Sequence, residues 1–153
     1  MNLKFTLAYD GSLFQGSQKQ PNGMTVEDKL LKAFKKINIE TNIVLSGRTD
    51  KEVHATGQVF NCVVPDFWQD FFKLKDILNK NLPSSIKILR IQKVKDDFHS
   101  RFHAKKRVYR YLITTKPTTP FNNKFITHIK NVDEELLQKA IKEGFEEEKQ
   151  LQQ

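Results

Sequence analysis

Leu3-Lys4-Phe5-Thr6-Leu7-Ala8-Tyr9-Asp10-Gly11-Ser12 sets Leu3, Phe5, Leu7 and Tyr9 against Lys4, Thr6 and Ala8. This two-residue period belongs to a strand with one face buried and one face wet. Asp10-Gly11-Ser12 breaks the strand, because these residue types favour turns. A sheet face of this kind has to be covered by a second layer. The next periodic segment supplies one. Thr25 can cap a helix whose Val26, Leu30, Phe34 and Ile37 recur at helical spacing. A polar loop over residues 11–23 joins the two.

The rest of the chain continues the alternation. Asn42 to Leu45 reads as a short strand, Gly57 to Val64 as a strand ended by Pro65, and Ile86 to Val94 as a strand with Ile86, Ile88 and, after a break in period, Ile91. Phe67, Phe71, Leu74 and Leu78 predict a second helix over 67–78, with a turn at 79–83. A strand is expected over 107–114, with Tyr109, Tyr111 and Ile113 on one face. Phe98, Phe102 and Tyr111 suit the core, whereas Tyr109 suits either side. Leu136, Leu137, Ala140 and Ile141 predict a third helix over 133–143. The element order implies an α+β fold: a mixed sheet with helices on one face, in one domain over 1–143. The acidic, Gln-rich stretch 144–153 is expected to be disordered.

A length of 153 residues suits about one domain. No apolar run approaches the roughly 18 residues of a membrane helix, and the N-terminal apolar stretch is too short for a signal peptide. Cys62 is the lone cysteine, which excludes an internal disulfide and a Cys-based zinc cluster. A cytoplasmic location is the default expectation. The net charge of +8 favours an anionic partner, and its distribution sharpens that. Phe98 to Val132 carries eight Lys/Arg and no acid, while Asp133 to Glu148 carries seven acids and two lysines.

Two segments carry chemistry. Ser46-Gly47-Arg48-Thr49-Asp50-Lys51-Glu52-Val53-His54-Ala55 packs Arg, Asp, Lys, Glu and His between two strands. A nearby cation can hold a carboxylate ionised, and an ionised carboxylate on a rigid loop can act as a nucleophile. The plain alternative is a polar turn with a surface ion pair. Asp96 to Tyr111 interleaves cations with Phe and Tyr, a composition suited to RNA because cations take phosphates and rings stack on bases. The alternative there is a basic edge strand whose rings face the core. His54, His99 and His103 offer no HxxxH or HxH on a credible helix or strand pair, and partner cysteines are absent, so no metal is expected. Asp96-Asp97 reads as a strand-end turn, because adjacent strand residues point to opposite faces. Cys62, followed by Val63-Val64, reads as a buried thiol. Gly11 and Gly16 match neither standard phosphate-loop spacing.

In combination, these segments resemble the tRNA pseudouridine synthase A family. The resemblance rests on motifs in order across roughly residues 3–125: Tyr9-Asp10-Gly11-Ser12-Leu13-Phe14-Gln15-Gly16, Gln18-Lys19-Gln20-Pro21, Thr25-Val26-Glu27, Gly47-Arg48-Thr49-Asp50 with Val53-His54-Ala55, Gly57-Gln58-Val59, Asn79 to Pro83, Asp97-Phe98-His99-Ser100-Arg101-Phe102, and Arg107-Val108-Tyr109-Arg110-Tyr111. It implies a ferredoxin-like half-domain with a mostly antiparallel sheet. It also implies conversion of uridine to pseudouridine in the anticodon stem-loop of tRNA. Asp50 would be the nucleophile, Arg48 would pair with it and hold the flipped nucleotide, and Tyr109 would stack on the uracil. Lys19, His54, Arg101, Lys105, Lys106, Arg107 and Arg110 would contact RNA. The reaction gains and loses no atom, so no cofactor is implied. A homodimer is.

The chain departs from the family pattern in three ways. Ser17 stands where the family usually has Trp. Asp50-Lys51-Glu52-Val53 replaces the usual Asp-Ala-Gly-Val, which puts Glu52 where a backbone conformation suited to glycine is expected. The family's second half is absent from these 153 residues, which suggests a truncated form. A catalytically silent RNA-binding module is the alternative reading. A purely structural domain leaves both the basic block and the motif order unexplained.

Overall fold

The alternating segment forms β1, Asn2–Tyr9. The computed structural model describes residues 1–130 and 132–150, arranged as two compact units, Met1–Val108 and Tyr109–Gln153. In the first unit β1 is followed by α1 (Val26–Lys36), β2 (Val44–Leu45), β3 (Ala55–Val63), α2 (Phe71–Asn81) and β4 (Ile86–Lys93). The four strands make one sheet in the order β2-β3-β1-β4, with every neighbouring pair antiparallel. This is the split β-α-β arrangement of ferredoxin-like folds.

β1 is central and pairs Phe5 with Phe60 on one side and with Ile91 on the other. The Phe5 and Phe60 rings stack with centroids 4.6 Å apart, and Phe34 of α1 meets them edge-on at 5.7 and 6.4 Å. Leu3, Phe5 and Leu7 are fully buried, together with Val26, Leu30 and Phe34 of α1 and Leu74 and Leu78 of α2. Both helices therefore cover the same sheet face, as the element order implies. Truncating one of these rings to Ala would cost about 3–5 kcal/mol.

Local signals set the helix boundaries. Thr25 and Asp28 form a reciprocal capping box, the Thr25 hydroxyl accepting from the Asp28 N–H and the Asp28 carboxylate from the Thr25 N–H, each at 3.2 Å. Such a cap is worth about 1 kcal/mol. The second helix starts at Phe71 rather than Phe67, because Asp70 caps it by accepting from the Lys73 N–H at 2.9 Å. Phe67 is left exposed. The helix also continues through Asn79–Asn81, where a turn was expected. Asn79 reaches across to β4, accepting from the Ile88 N–H at 2.8 Å and donating to the Ile88 carbonyl at 3.0 Å. The broken period of β4 is a bulge. Phe5 pairs with Ile91 and Leu7 with Ile88, so Leu89 is displaced outward and Ile91 returns to the core.

The second unit contains β5 (Ile113–Thr114) paired in parallel with β6 (Thr127–His128), and α3 (Glu134–Gln150). The strand expected over 107–114 is thus confined to its last two residues. A strand needs a ladder partner, and only Ile113 and Thr114 have one. Phe102 and Tyr111 are 77% and 88% exposed, not core residues. Asp133 accepts from the N–H groups of Glu135 and Leu136, at 3.0 and 3.1 Å, and so caps α3. This helix extends beyond Glu143 to Gln150, through a run of Glu, Lys and Gln, which are good helix formers. The expectation of a disordered 144–153 tail falls partly on 151–153, outside the described residues. Among the described residues no helix is long and apolar enough to cross a membrane.

Cys62 is buried on the core face, and burial pushes its thiol up to about 12, against a weaker opposing hydrogen bond from Thr41. Iodoacetamide at pH 8 should therefore leave the folded chain nearly unlabelled and label it rapidly in urea. Because the folded thiol holds its proton more tightly than the unfolded one, this group's contribution to stability should also decline as pH rises from about 9 towards 12. Denaturation midpoints across that window test the sign.

Candidate functional site

The segment 46–54 joins β2 to β3 and is fixed at its entrance by β3. The Ser46 N–H donates to the Val59 carbonyl at 2.8 Å. The Gln58 amide donates to the Gly47 carbonyl at 3.0 Å and accepts from the Ser46 hydroxyl at 3.0 Å. From the end of β1, the Tyr9 ring lies in the core while its hydroxyl reaches Thr49 Oγ1 at 2.8 Å.

A second clamp comes from the loop after β1. Ser17 is fully buried. Its N–H donates to the Thr49 carbonyl at 3.0 Å, and its hydroxyl accepts from the Thr49 N–H at 2.8 Å. Two glycines allow this close approach. A side chain at Gly11 would collide with the Val53 carbonyl, and at Gly16, whose φ is +86°, a Cβ would lie 3.0 Å from the Thr49 carbonyl oxygen. Gly11 also accepts from the Glu52 N–H at 3.2 Å, and Val53 N–H closes the turn onto the Asp50 carbonyl at 3.3 Å.

Asp50 therefore sits on a loop whose backbone is held on both sides, with its own side chain 84% exposed. Arg48 Nε lies 3.7 Å from Asp50 Oδ1 and is itself 65% exposed. A pair so exposed is worth about 0–1 kcal/mol, so both groups can exchange each other for a ligand at little cost.

The other residues singled out from sequence have varied surroundings. His54 is half-buried, its Nδ1 accepting from the Gly11 N–H at 3.1 Å with Asp10 Oδ1 also 3.1 Å away. Lys19 is exposed, and its backbone N–H donates to Glu27 at 2.7 Å. Lys105 and Lys106 are exposed. Arg107 donates to the Ser46 carbonyl and, with Nη2, to the Arg101 carbonyl. Tyr109 and Arg110 belong to the second unit, and both are exposed. The Phe98–Ser100 segment is tied to the sheet by asparagines: Asn2 and Asn61 donate to the Phe98 carbonyl at 2.9 and 3.2 Å, and Asn61 accepts from the Ser100 N–H at 2.8 Å. Sequence reading passed over Ser17, Gln58, Asn61 and the Tyr9 hydroxyl as site-building groups. Asn61 and Gln58, amides among the apolar residues of 57–64, are the available signals.

A ferredoxin-like sheet that presents an Arg-Thr-Asp loop from its strand ends matches one family at sequence level. The tRNA pseudouridine synthase family model matches residues 6–103. The chain belongs to that family. It is 38% identical over 136 residues to tRNA pseudouridine synthase A of Wolinella succinogenes, covering 89% of this chain and 54% of that protein. It is 39% identical over 140 residues to the Helicobacter pylori (strain HPAG1) protein of the same name, covering 92% and 57%. The Streptococcus agalactiae (strain NEM316) protein is 36% identical over 144 residues, covering 92% and 55%. The chain spans about half the length of the curated relatives it matches.

Glu52 adopts φ +68°, in the left-handed region expected of glycine. An L-residue there costs about 1–2 kcal/mol, against the roughly 0.5–1 kcal/mol of extra chain entropy that glycine loses on folding. Glu52→Gly should therefore raise stability by roughly 0.5–1 kcal/mol, read as a higher midpoint in urea.

Proposed function

We propose that this chain forms the Asp50-bearing part of a tRNA pseudouridine synthase acting on uridines of the anticodon stem-loop. The observation that supports this most is the exposed Asp50–Arg48 pair on a loop clamped by Ser17, Tyr9 and Gln58. The reaction breaks the C1′–N1 bond, turns the base and forms a C1′–C5 bond. The C5 proton leaves and N1 gains one, so atoms balance without a cofactor. Asp50 is the nucleophile, which holds one carbon centre while the base turns. Arg48 pairs with Asp50 in the free protein and supports the flipped nucleotide in the complex. Tyr109 stacks on the uracil, which has to leave its helix to be reached. Arg101, Lys105, Lys106, Arg110 and Lys19 contact the phosphates, with His54 at the loop's base. The partner is tRNA, the assembly a homodimer and the compartment the cytoplasm.

The test is tritium release from tRNA labelled at uridine C5. Asp50→Asn should abolish release and leave tRNA affinity within about twofold, because the amide keeps size and hydrogen bonding but loses the attacking charge. Retained release would remove the mechanism. No release from the unmutated chain would favour an RNA-binding module.

A second measurement addresses binding. Lys105→Ala with Lys106→Ala should weaken affinity across RNA sequences and reduce the slope of log affinity against log salt by about 1–2. An unchanged slope would remove these lysines from the interface.

A further inference from the structure

Arg107 was read from sequence as one more phosphate contact, yet its guanidinium is directed at the protein. Nη2 and Nε donate to the Ser46 carbonyl at 2.8 and 3.3 Å, and Nη2 also donates to the Arg101 carbonyl at 3.3 Å. Ser46 is 61 residues away in sequence and opens the Asp50 loop. The arm packs directly over Gly47: a Cβ there would lie 3.4 Å from Arg107 Nε and 3.7 Å from Cδ, at ordinary contact distance. The next carbonyl, that of Gly47, is taken by Gln58 at 3.0 Å. Two successive carbonyls at the loop entrance are thus each held by a side chain from a different segment.

We propose that Arg107 is a positioning residue: it fastens the entrance of the Asp50 loop to the basic segment at Arg101 and is not itself a phosphate ligand. The inference deepens the functional reading above and rests on Asp50 as the reacting carboxylate. The chemistry is specific to arginine. A planar fork presents several donors at fixed spacing, so one group serves two carbonyls, whereas a lysine ammonium is a point charge on a flexible stem. A phosphate would accept either cation. Lysine at this position therefore separates the two roles.

The experiment compares the unmutated chain with Arg107→Lys and Arg107→Ala in three measurements: amide hydrogen exchange, binding to an anticodon-arm transcript across salt concentrations, and tritium release. Arg107→Lys should keep affinity and salt slope, because charge is retained. It should accelerate exchange of the Ser46 and Thr49 amides by about tenfold or more, as local opening does, while the amides of Phe5 and Phe60 stay as protected as before. Turnover should fall by about tenfold or more at unchanged KM, because a displaced reacting group loses the benefit of orientation. Arg107→Ala should show the same exchange change.

Exchange at Ser46 and Thr49 unchanged by either variant would overturn the proposal. So would full turnover in Arg107→Lys, or faster exchange throughout the sheet, which marks general destabilisation. If the unmutated chain releases no tritium, the functional reading fails by itself and exchange alone decides the clamp: local acceleration in both variants upholds it, and its absence overturns it.

Discussion

The stack of Phe5 on Phe60, closed by the edge of Phe34, is the contact on which the rest depends. It joins the central strand, its neighbour β3 and the helix above them in one place. It also sets register. With Phe5 opposite Phe60, Leu7 falls opposite Gln58 and Lys4 opposite Asn61. A slip of one residue would turn every buried side chain of β1 outward. The same slip would move Gln58 and Asn61, the two amides that hold the functional segments. Core packing and site geometry are therefore one constraint rather than two.

From this core the site is built outward by hydrogen bonds to backbone. Gln58 and Val59 take the start of the Asp50 loop, while Asn61 takes the Phe98–Ser100 segment. Consecutive parts of one strand thus anchor both stretches on which chemistry was expected. Arg107 closes the circuit by returning from the basic segment to Ser46. The apolar face of the sheet supplies the stability. The opposite requirement, an exposed Asp50, is met by holding the loop's main chain and leaving its acidic side chain in water. Holding backbone fixes position without surrounding the carboxylate with apolar atoms, so Asp50 remains open to solvent.

How much of this was legible depended on the range of the interaction. The strand at Leu3–Tyr9 and the cap at Thr25 carry their own signals, a period of two and a Thr/Asp box, and both were readable. The start of the second helix was misplaced because the apolar spacing extends back to Phe67, while the capping bond belongs to Asp70. The expected strand over 107–114 failed for a non-local reason: alternation does not provide a ladder partner, and only Ile113 and Thr114 find one. Asp50 and Arg48 stood out by residue type. Ser17 did not, since its role is a pair of bonds to a residue 32 positions away.

Two residues read as departures from the family pattern, Ser17 and Glu52, meet the same loop from opposite sides. Ser17 holds the Thr49 peptide by both its N–H and its carbonyl, immediately before Asp50. Glu52 holds the far side through its N–H on the Gly11 carbonyl, in a conformation that is unfavourable for its side chain. The first contributes directional bonds from a fully buried residue. The second accepts strain to keep a turn that Gly11, with no room for a side chain against Val53, requires to stay closed. A strained residue persists only where its surroundings over-determine it. Here the surroundings are the Ser17 clamp, the Val53–Asp50 turn and the Gly11 contact acting together. Side chains as different as Ser17, Tyr9, Gln58 and Arg107 all bond to the loop around Asp50, so one main-chain path is held from several segments of the chain.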